Sequence, residues 1–247
     1  MSVELSLDTI EEQLYVGHAR GPCSYLAKRE AALLFLDGLP IGEVYRMLMD
    51  QGYRRHGLHL YRPDCSGCQE CQVLRIPVST FQMNRNQRRV WQKGLAAFDV
   101  RIVEPRASRE KNELYLRYLD YQHQRHKEEA ADLASYQSFF VDSFLADGTR
   151  ELQLWQAGKL AGVGIFDRIA DALSAVYFFF EPDVARLSPG KFNILYLLDL
   201  ARQEGRNYLY PGFYISACKA MNYKSEYQPN QRRRPGEQEW QEFLRPA

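Results

Sequence analysis

The sequence predicts an α+β fold: an N-terminal, cysteine-containing α+β domain over residues 1–106, followed over 107–247 by a domain built on a strand meander. Three observations carry this. The segments ELQLWQ, LAGVGIFDRI and ALSAVYFFFEPD, separated by turn residues at AGK and AD, are strand-like runs in immediate succession. Ile41, Val44, Tyr45, Leu48 and Met49, and later Ile194, Leu197, Leu198 and Ala201, recur at helical spacing. Between these regions DVRIVEPRASR reads as a strand and then a linker, which sets the boundary near 106.

Taken in order, residues 1–20 are a lead-in with a candidate strand in EQLYVG. Gly21 and Pro22 then turn the chain ahead of Cys23. An apolar run, REAALLFLDG, precedes the first helix, for which Gly52 is the expected C-cap. Tyr53–Arg62 alternates bulky and basic residues as a strand or hairpin would, and VLRIPV is a strand. STFQMNRNQRRVWQKGL is a basic helix with Ser79 and Thr80 as cap candidates. LYLRYLDYQHQRH and SYQSFFVDSFL read as two further helices, RNYLYPGFYI as a strand, and the remainder as a polar tail with a basic triplet at Arg232, Arg233 and Arg234.

A chain of 247 residues can bury a sizeable core, and 45% hydrophobic with 26% charged residues is ordinary for a globular protein. No run of eighteen apolar residues occurs and the start, MSVELSLDTIEEQ, is acidic, so a cytoplasmic protein is expected. Charge is uneven. From Gln51 to Lys93 eight Lys/Arg stand against two Asp/Glu, a local +6 within a chain of net +1. Such a field attracts polyanions, and Arg85, Arg88 and Arg89, three to four residues apart and followed by Trp91 and Lys93, are candidate phosphate contacts; a solvated helix surface is the alternative. Cys65, Cys68 and Cys71 lie inside this stretch at two-residue gaps. With Cys23 they make four soft ligands for zinc or an iron-sulfur cluster, or else small buried thiols.

A meander, a helix and a glycine-broken strand resemble the acyl-transferring half of the GNAT acetyltransferase fold. In that fold RLSPGKF would seat a phosphate group on backbone amides, which suits Ser188 and Gly190; a simple helix start is the other reading. The strings CSYL, LYRPDCSGCQEC with RIPV, QRR, LSAVYFFFEPD, LSPGKF and CKAMNYKSEYQP, in that order, resemble the aminoacyl-tRNA protein transferases of the N-end rule, the bacterial leucyltransferases more than the arginyltransferases. The resemblance runs from about Cys23 to Pro229 and implies a GNAT-like second domain that takes charged tRNA in place of acetyl-CoA. The chain departs from the family at Pro189, at Pro211-Gly212-Phe213-Tyr214 and at Gln122 before His123.

That resemblance implies attack of a peptide α-amine on an aminoacyl ester, with proteins beginning in Asp or Glu as acceptors. An activated ester needs alignment, one proton acceptor and shelter for an oxyanion. Asp167, Tyr177, Asp183, Tyr214 and Lys224 are the candidate groups, and His123 a candidate base; each also has a plain structural reading. Ser174 and Gly212 join them as substrate-side positions. An acidic side chain calls for arginine: Arg54 or Arg55 as contact, Arg62 and Arg75 in structural pairs. Two other readings stay open, an acetyl-CoA-dependent GNAT enzyme and a metal-stapled RNA-binding module on a degenerate transferase fold.

Overall fold

The computed structural model describes residues 14–37, 42–123 and 132–244. Two sheets organise them. The smaller contains β1 (Tyr15–Pro22), β2 (Glu30–Asp37), β3 (Arg54–His56) and β4 (His59–Pro63) in the spatial order β1-β2-β4-β3, antiparallel throughout. The apolar run REAALLFLDG thus becomes β2. The helix expected next is α1 (Gly42–Asp50), whose Tyr45, Leu48 and Met49 are buried against Leu34, Leu36 and Leu60 of this sheet.

The larger sheet has nine strands: β5 (Gln72–Pro77), β6 (Asp99–Val103), β7 (Thr149–Gln156), β8 (Lys159–Ile169), β9 (Ala172–Phe180), β10 (Tyr208–Tyr210), β11 (Phe213–Tyr214), β12 (Asn230–Arg233) and β13 (Gln241–Phe243). Their order is β13-β12-β5-β10-β9-β8-β7-β6, with β11 also on β5. The meander is β7-β8-β9, turning at Gly158 (φ 76°) and at Ala170 (φ 41°) beside Asp171. Pairing crosses the expected boundary near 106: β5 and β6 precede it, yet they join strands that follow it.

Helices cover this sheet: α2 (Arg85–Ala97), α3 (Arg109–His123), α4 (Leu133–Tyr136), α5 (Pro189–Gln203) and the short α6 (Lys219–Asn222). The N-cap of α2 is Asn84, not Ser79 or Thr80: its side chain accepts from Gln87 N (2.8 Å) while Gln87 Oε1 accepts from Asn84 N (2.9 Å). The helix expected over SYQSFFVDSFL is shorter, α4 running into a π turn at Gln137–Val141. α2 packs on α5 through Gly94, where a Cβ would meet the Phe192 ring at 2.1 Å. Trp91 lies 5.7 Å from Phe192 and 6.0 Å from Tyr196, so it is turned into this contact and does not stand free for a base.

The polar tail is where the structure differs most from the sequence reading. Residues 230–233 form β12 on β5, and β13 follows. Arg232 is buried between the rings of Tyr214 and Phe243, 3.9 and 4.0 Å from their centroids, and Arg233 faces Trp240 at 5.2 Å. Arginine stacked on aromatic faces supplies the packing that apolar periodicity would otherwise announce.

Candidate active site

The candidate site begins where strand pairing stops. β9 pairs with β10 in parallel only at Tyr208↔Ala172, Leu209↔Leu173 and Tyr210↔Ser174. β10 ends at Tyr210, the chain turns at Pro211-Gly212, and β11 pairs with β5 through Phe213↔Val73 and Tyr214↔Gln72. Beyond Ser174, β9 therefore leaves its neighbour, and a wedge opens between β9 and the β5–β11 pair. The single strand expected for RNYLYPGFYI is split because Gly212 takes φ +93°, a conformation that L side chains avoid.

Two sequence candidates lie on β9, Ser174 at the last residue paired with β10 and Tyr177 beyond it. Ser174 is buried and hydrogen-bonded to the Tyr45 hydroxyl. Tyr177 is half-buried among Tyr115 (5.9 Å), Phe139 (5.7 Å) and Phe140 (5.5 Å). α5 starts at the same end: Ser188 is left-handed (φ 57°, ψ 52°) and makes no side-chain cap bond, while a Cβ at Gly190 would meet nothing closer than Phe178 at 3.9 Å. Asp183 lies exposed on the turn Pro182–Leu187, and Tyr214 is stacked on Arg232. His123 closes α3, but its side chain lies outside the described residues.

The arginines divide sharply. Arg55 Nε donates to Asp167 Oδ2 (2.9 Å), both side chains are fully buried, and Thr149 Oγ1 donates to Asp167 Oδ1 (2.7 Å). Arg55 and Asp167 thus serve a structural pair, and neither is open to a substrate. Arg75 is held between the rings of Tyr208 (4.1 Å) and Trp240 (3.9 Å), with Asp50 at 3.4 Å and Gln231 at 2.7 Å. Arg62 stacks on Tyr53. Both are engaged by neighbouring side chains.

Arg54 is different. It points to the face opposite Arg55, as strand alternation requires, and lies over Tyr210 (5.5 Å) and Phe213 (5.3 Å). Its Nη1 donates to Tyr53 O (2.8 Å) and Met49 O (3.3 Å), whereas Nε and Nη2 have no partner among the described residues although the residue is 5% exposed. Beside it Lys224 is buried too, its Nζ donating to Phe213 O (2.7 Å) and lying 3.4 Å from Met221 Sδ. Burial, reinforced by the Arg54 charge, pulls the Lys224 ammonium down to about 7. Gly212 makes room for it, since a Cβ there would approach Nζ to 3.3 Å.

Cys23, Cys65, Cys68 and Cys71 line one cavity of about 520 Å³, together with Tyr25, Leu26, Phe35, Tyr61 and Phe213. This arrangement corrects the ligand-set expectation. Among the described residues no group of three or more His, Cys, Asp or Glu side chains is placed to hold a metal ion. Cys65 Sγ is engaged with Ala32, accepting from its N–H at 3.3 Å, and Arg29 Nη1 donates to Cys68 Sγ at 3.5 Å. Burial, and then its fellow cysteines, push the Cys71 thiol up to about 12. The thiols line the cavity wall and are half-buried, not the fully buried small residues of the alternative.

Arg85, Arg88, Arg89 and Lys93 are all exposed on α2. Arg88 donates to Met83 O (2.7 Å); Arg85, Arg89 and Lys93 form no ion pair with a described carboxylate. Grooves of about 560 and 530 Å³ flank the helix, one lined by Arg88, Trp91 and Arg202, the other by Asn84, Gln87, Lys191 and Ser225. α2 and the start of α5 share one face of the large sheet, where Phe192, Leu195 and Phe178 pack on Leu74 and Ile76. The thiol-lined cavity belongs with the small sheet, on the other side of Phe213 and Val73.

A nine-stranded sheet built around a β-meander, with a basic helix on one side and an apolar cavity on the other, defines a protein of α+β class. Comparison with known proteins specifies the family. Residues 21–89 match the family description arginine-tRNA-protein transferase, N terminus, and residues 110–234 match arginine-tRNA-protein transferase, C terminus. The chain belongs to this family of aminoacyl-tRNA protein transferases. It is 35% identical over 214 residues to a protein of Hahella chejuensis named aspartate/glutamate leucyltransferase, covering 85% of this chain and 89% of that one. Proteins of the same name from Pseudomonas fluorescens and Chromobacterium violaceum are each 38% identical, over 84% and 85% of this chain and 88% and 86% of theirs. Among solved structures, FemX is similar over 82% of this chain and 80% of its own, with 8% identity and a TM-score of 0.46. Among the described residues no helix is long and apolar enough to cross a membrane.

The Lys224 ammonium makes a stability prediction. Unfolded, it titrates near 10.5; folded, near 7, so between these values the unfolded chain holds more protons and stability rises with pH, being lowest below 7. Lys224→Met should remove about 2 kcal/mol of the gain in unfolding free energy between pH 7 and pH 9. Urea denaturation of both proteins at the two pH values measures it, and an identical pH dependence would contradict the placement of this lysine.

Proposed function

We propose that this chain transfers leucine from aminoacyl-tRNA to the N-terminal α-amine of proteins beginning with Asp or Glu, which gives them an N-terminus that promotes degradation. The observation that carries the reading is likeness over about 85% of the chain to proteins named aspartate/glutamate leucyltransferase, in a fold whose strands part at Ser174. In the reaction the acceptor nitrogen attacks the ester carbonyl. The carbon–oxygen ester bond breaks, the tRNA departs with its terminal ribose hydroxyl, and the nitrogen gives up a proton. Alignment is the principal demand, because the ester is already activated.

The two sides of the sheet suit the two substrates. We place the tRNA along α2, where Arg85, Arg89 and Lys93 present unneutralised charge, with its 3′ end entering past Ser188 and Gly190 into the wedge. The acceptor comes from the cavity side, and Tyr177, on the part of β9 beyond its pairing with β10, stands beside the amine. Residues 1–106 on this reading supply the basic helix and the cavity, and 107–247 the splayed strands. We place the reaction in the cytoplasm, where charged tRNA is made.

Labelled amino acids from a mixed pool of charged tRNA, offered with peptides that begin with Asp, Glu, Arg, Lys or Ala, test the reading, with acetyl-CoA as a parallel donor. Leucine on the Asp and Glu peptides is expected. Arginine in its place would make the chain an arginyltransferase, and acetyl transfer alone would overturn tRNA as donor. The tRNA path is tested separately: Arg85→Glu with Arg89→Glu should weaken tRNA binding and flatten the slope of log K against log salt by about two. An unchanged slope would leave α2 as a solvated surface.

A further inference from the structure

Arg54 and Lys224 form a buried pair of cations without an acid of their own. The only carboxylate near Arg54 among its described electrostatic neighbours is Asp50. Asp50 is already taken, by Arg46 Nη1 (3.0 Å), by Arg75 Nη1 (3.4 Å) and by the Tyr210 hydroxyl (2.5 Å). No carboxylate forms an ion pair with Lys224 among the described residues, and the groups that favour its charge are Cys218 and Cys71. Two buried N–H groups of Arg54 remain unsatisfied. Leaving such a charged group buried and unpaired costs several kcal/mol; Lys224 relieves part of that by giving up its proton near pH 7, a relief not open to the Arg54 guanidinium beside it. A packed structure holds that arrangement when something anionic completes it.

The pair adjoins the cavity. Phe213 carries the Arg54 guanidinium on its ring and offers its carbonyl to Lys224, and it is also in the cavity wall with Tyr61 and Cys71. Tyr61 is within electrostatic reach of Arg54, and Cys71 of Lys224. The wall is mostly apolar and its own guanidiniums, Arg20 and Arg29, are exposed to solvent, whereas Arg54 and Lys224 lie buried behind Phe213, where an anion is held more strongly. Gly212, the turn at the wedge, lies 3.3 Å from Lys224 Nζ by its would-be Cβ, which puts the pair at the root of the splay.

We propose that Arg54 and Lys224 together receive the side-chain carboxylate of the acceptor's first residue, and that this pair makes the enzyme select Asp and Glu. Only two or three bonds separate that carboxylate from the α-carbon, so holding it at the root of the splay delivers the α-amine to the wedge. The guanidinium supplies two N–H donors on one edge, Nε and Nη2, the geometry that a carboxylate accepts in bidentate fashion. Lys224 adds a point charge from the Phe213 side. This refines the sequence expectation for Arg54 and sets Arg55 aside. It gives Lys224 the work of gripping the acceptor rather than of taking a proton. It rests on the leucyl-transfer reading for the identity of the acceptor, though not for the existence of the anion site.

Binding of peptides that begin with Asp, Glu, Asn or Gln to the tRNA-free protein, followed by fluorescence anisotropy, tests the pair. Lys224→Met should weaken the Asp and Glu peptides about thirtyfold or more while leaving Asn and Gln peptides unchanged, because it strands a carboxylate beside one cation instead of two. Arg54→Lys, which keeps a cation but loses the fork, should also lower the preference for acids; thermal melting confirms that both variants are folded. Wild-type protein that binds acidic peptides no better than neutral ones, or variants that retain the preference, would overturn the proposal. Equal loss for acidic and neutral peptides would overturn it as well, since that outcome assigns the pair to the backbone or the donor. Acid-selective binding without leucine transfer would instead remove the leucyl-transfer reading and leave the pair standing.

Discussion

The ion pair between Arg55 and Asp167 is the constraint on which the arrangement depends. Arg55 belongs to β3 of the small sheet and Asp167 to β8 of the large one, and neither side chain is exposed. Removing two charges from water is costly, and what offsets it is a set of partners: Thr149 on the carboxylate, the Gly57 and Asp142 carbonyls on the guanidinium, and the Tyr45 hydroxyl on the Arg55 backbone N–H, with Nη2 left without one among the described residues. The pair therefore fixes position more than it adds stability. With β3 pinned to β8 by one arginine, the next residue back must face the other way, and Arg54 lands on Tyr210 and Phe213 beside the turn at Gly212.

From that pin the two-sided character of the protein follows. α2 and α5 close one face of the large sheet around Phe192, and the basic residues of α2 remain outward because Gln87, Val90, Trp91 and Gly94 face α5 and its neighbours. The small sheet and α1 close the other face, leaving the cavity between the 22–29 loop and Phe213. On the proposed reading, a donor carried by a polyanion and an acceptor carrying a carboxylate then reach one gap in the sheet from opposite sides. Nothing in this scheme calls on a nucleophilic side chain of the protein.

Much of the fold was legible in the sequence because it is written in periodicity. The meander, α1 and α5 all announce themselves by spacing, and the ordered strings from CSYL to CKAMNYKSEYQP carry the family. What escaped is held by contacts that leave no periodic trace. β12 is polar along its length and is buried by arginine stacking on Tyr214, Phe243 and Trp240, residues brought from elsewhere in the chain. Arg54 and Arg55 are adjacent, and strand alternation says only that their roles differ; which one keeps an acid depends on Asp167, 112 residues on from Arg55. The cysteines show the opposite error. Their spacing is real and they do share a cavity, but a two-residue gap does not say that the sulfurs converge, and Ala32 and Arg29 already engage two of them.

The central claim is that the gap between β9 and the β5–β11 pair is where ester and amine meet. A crystal structure with an amide-linked leucyl-adenosine, which copies the aminoacyl end of tRNA and cannot react, tests it most directly. The account predicts the leucyl carbonyl in the wedge between Tyr177 and Gly212, with the adenosine on the side of Ser188 and α2. An analogue seated in the thiol-lined cavity, or on a face of the sheet remote from the wedge, would contradict it.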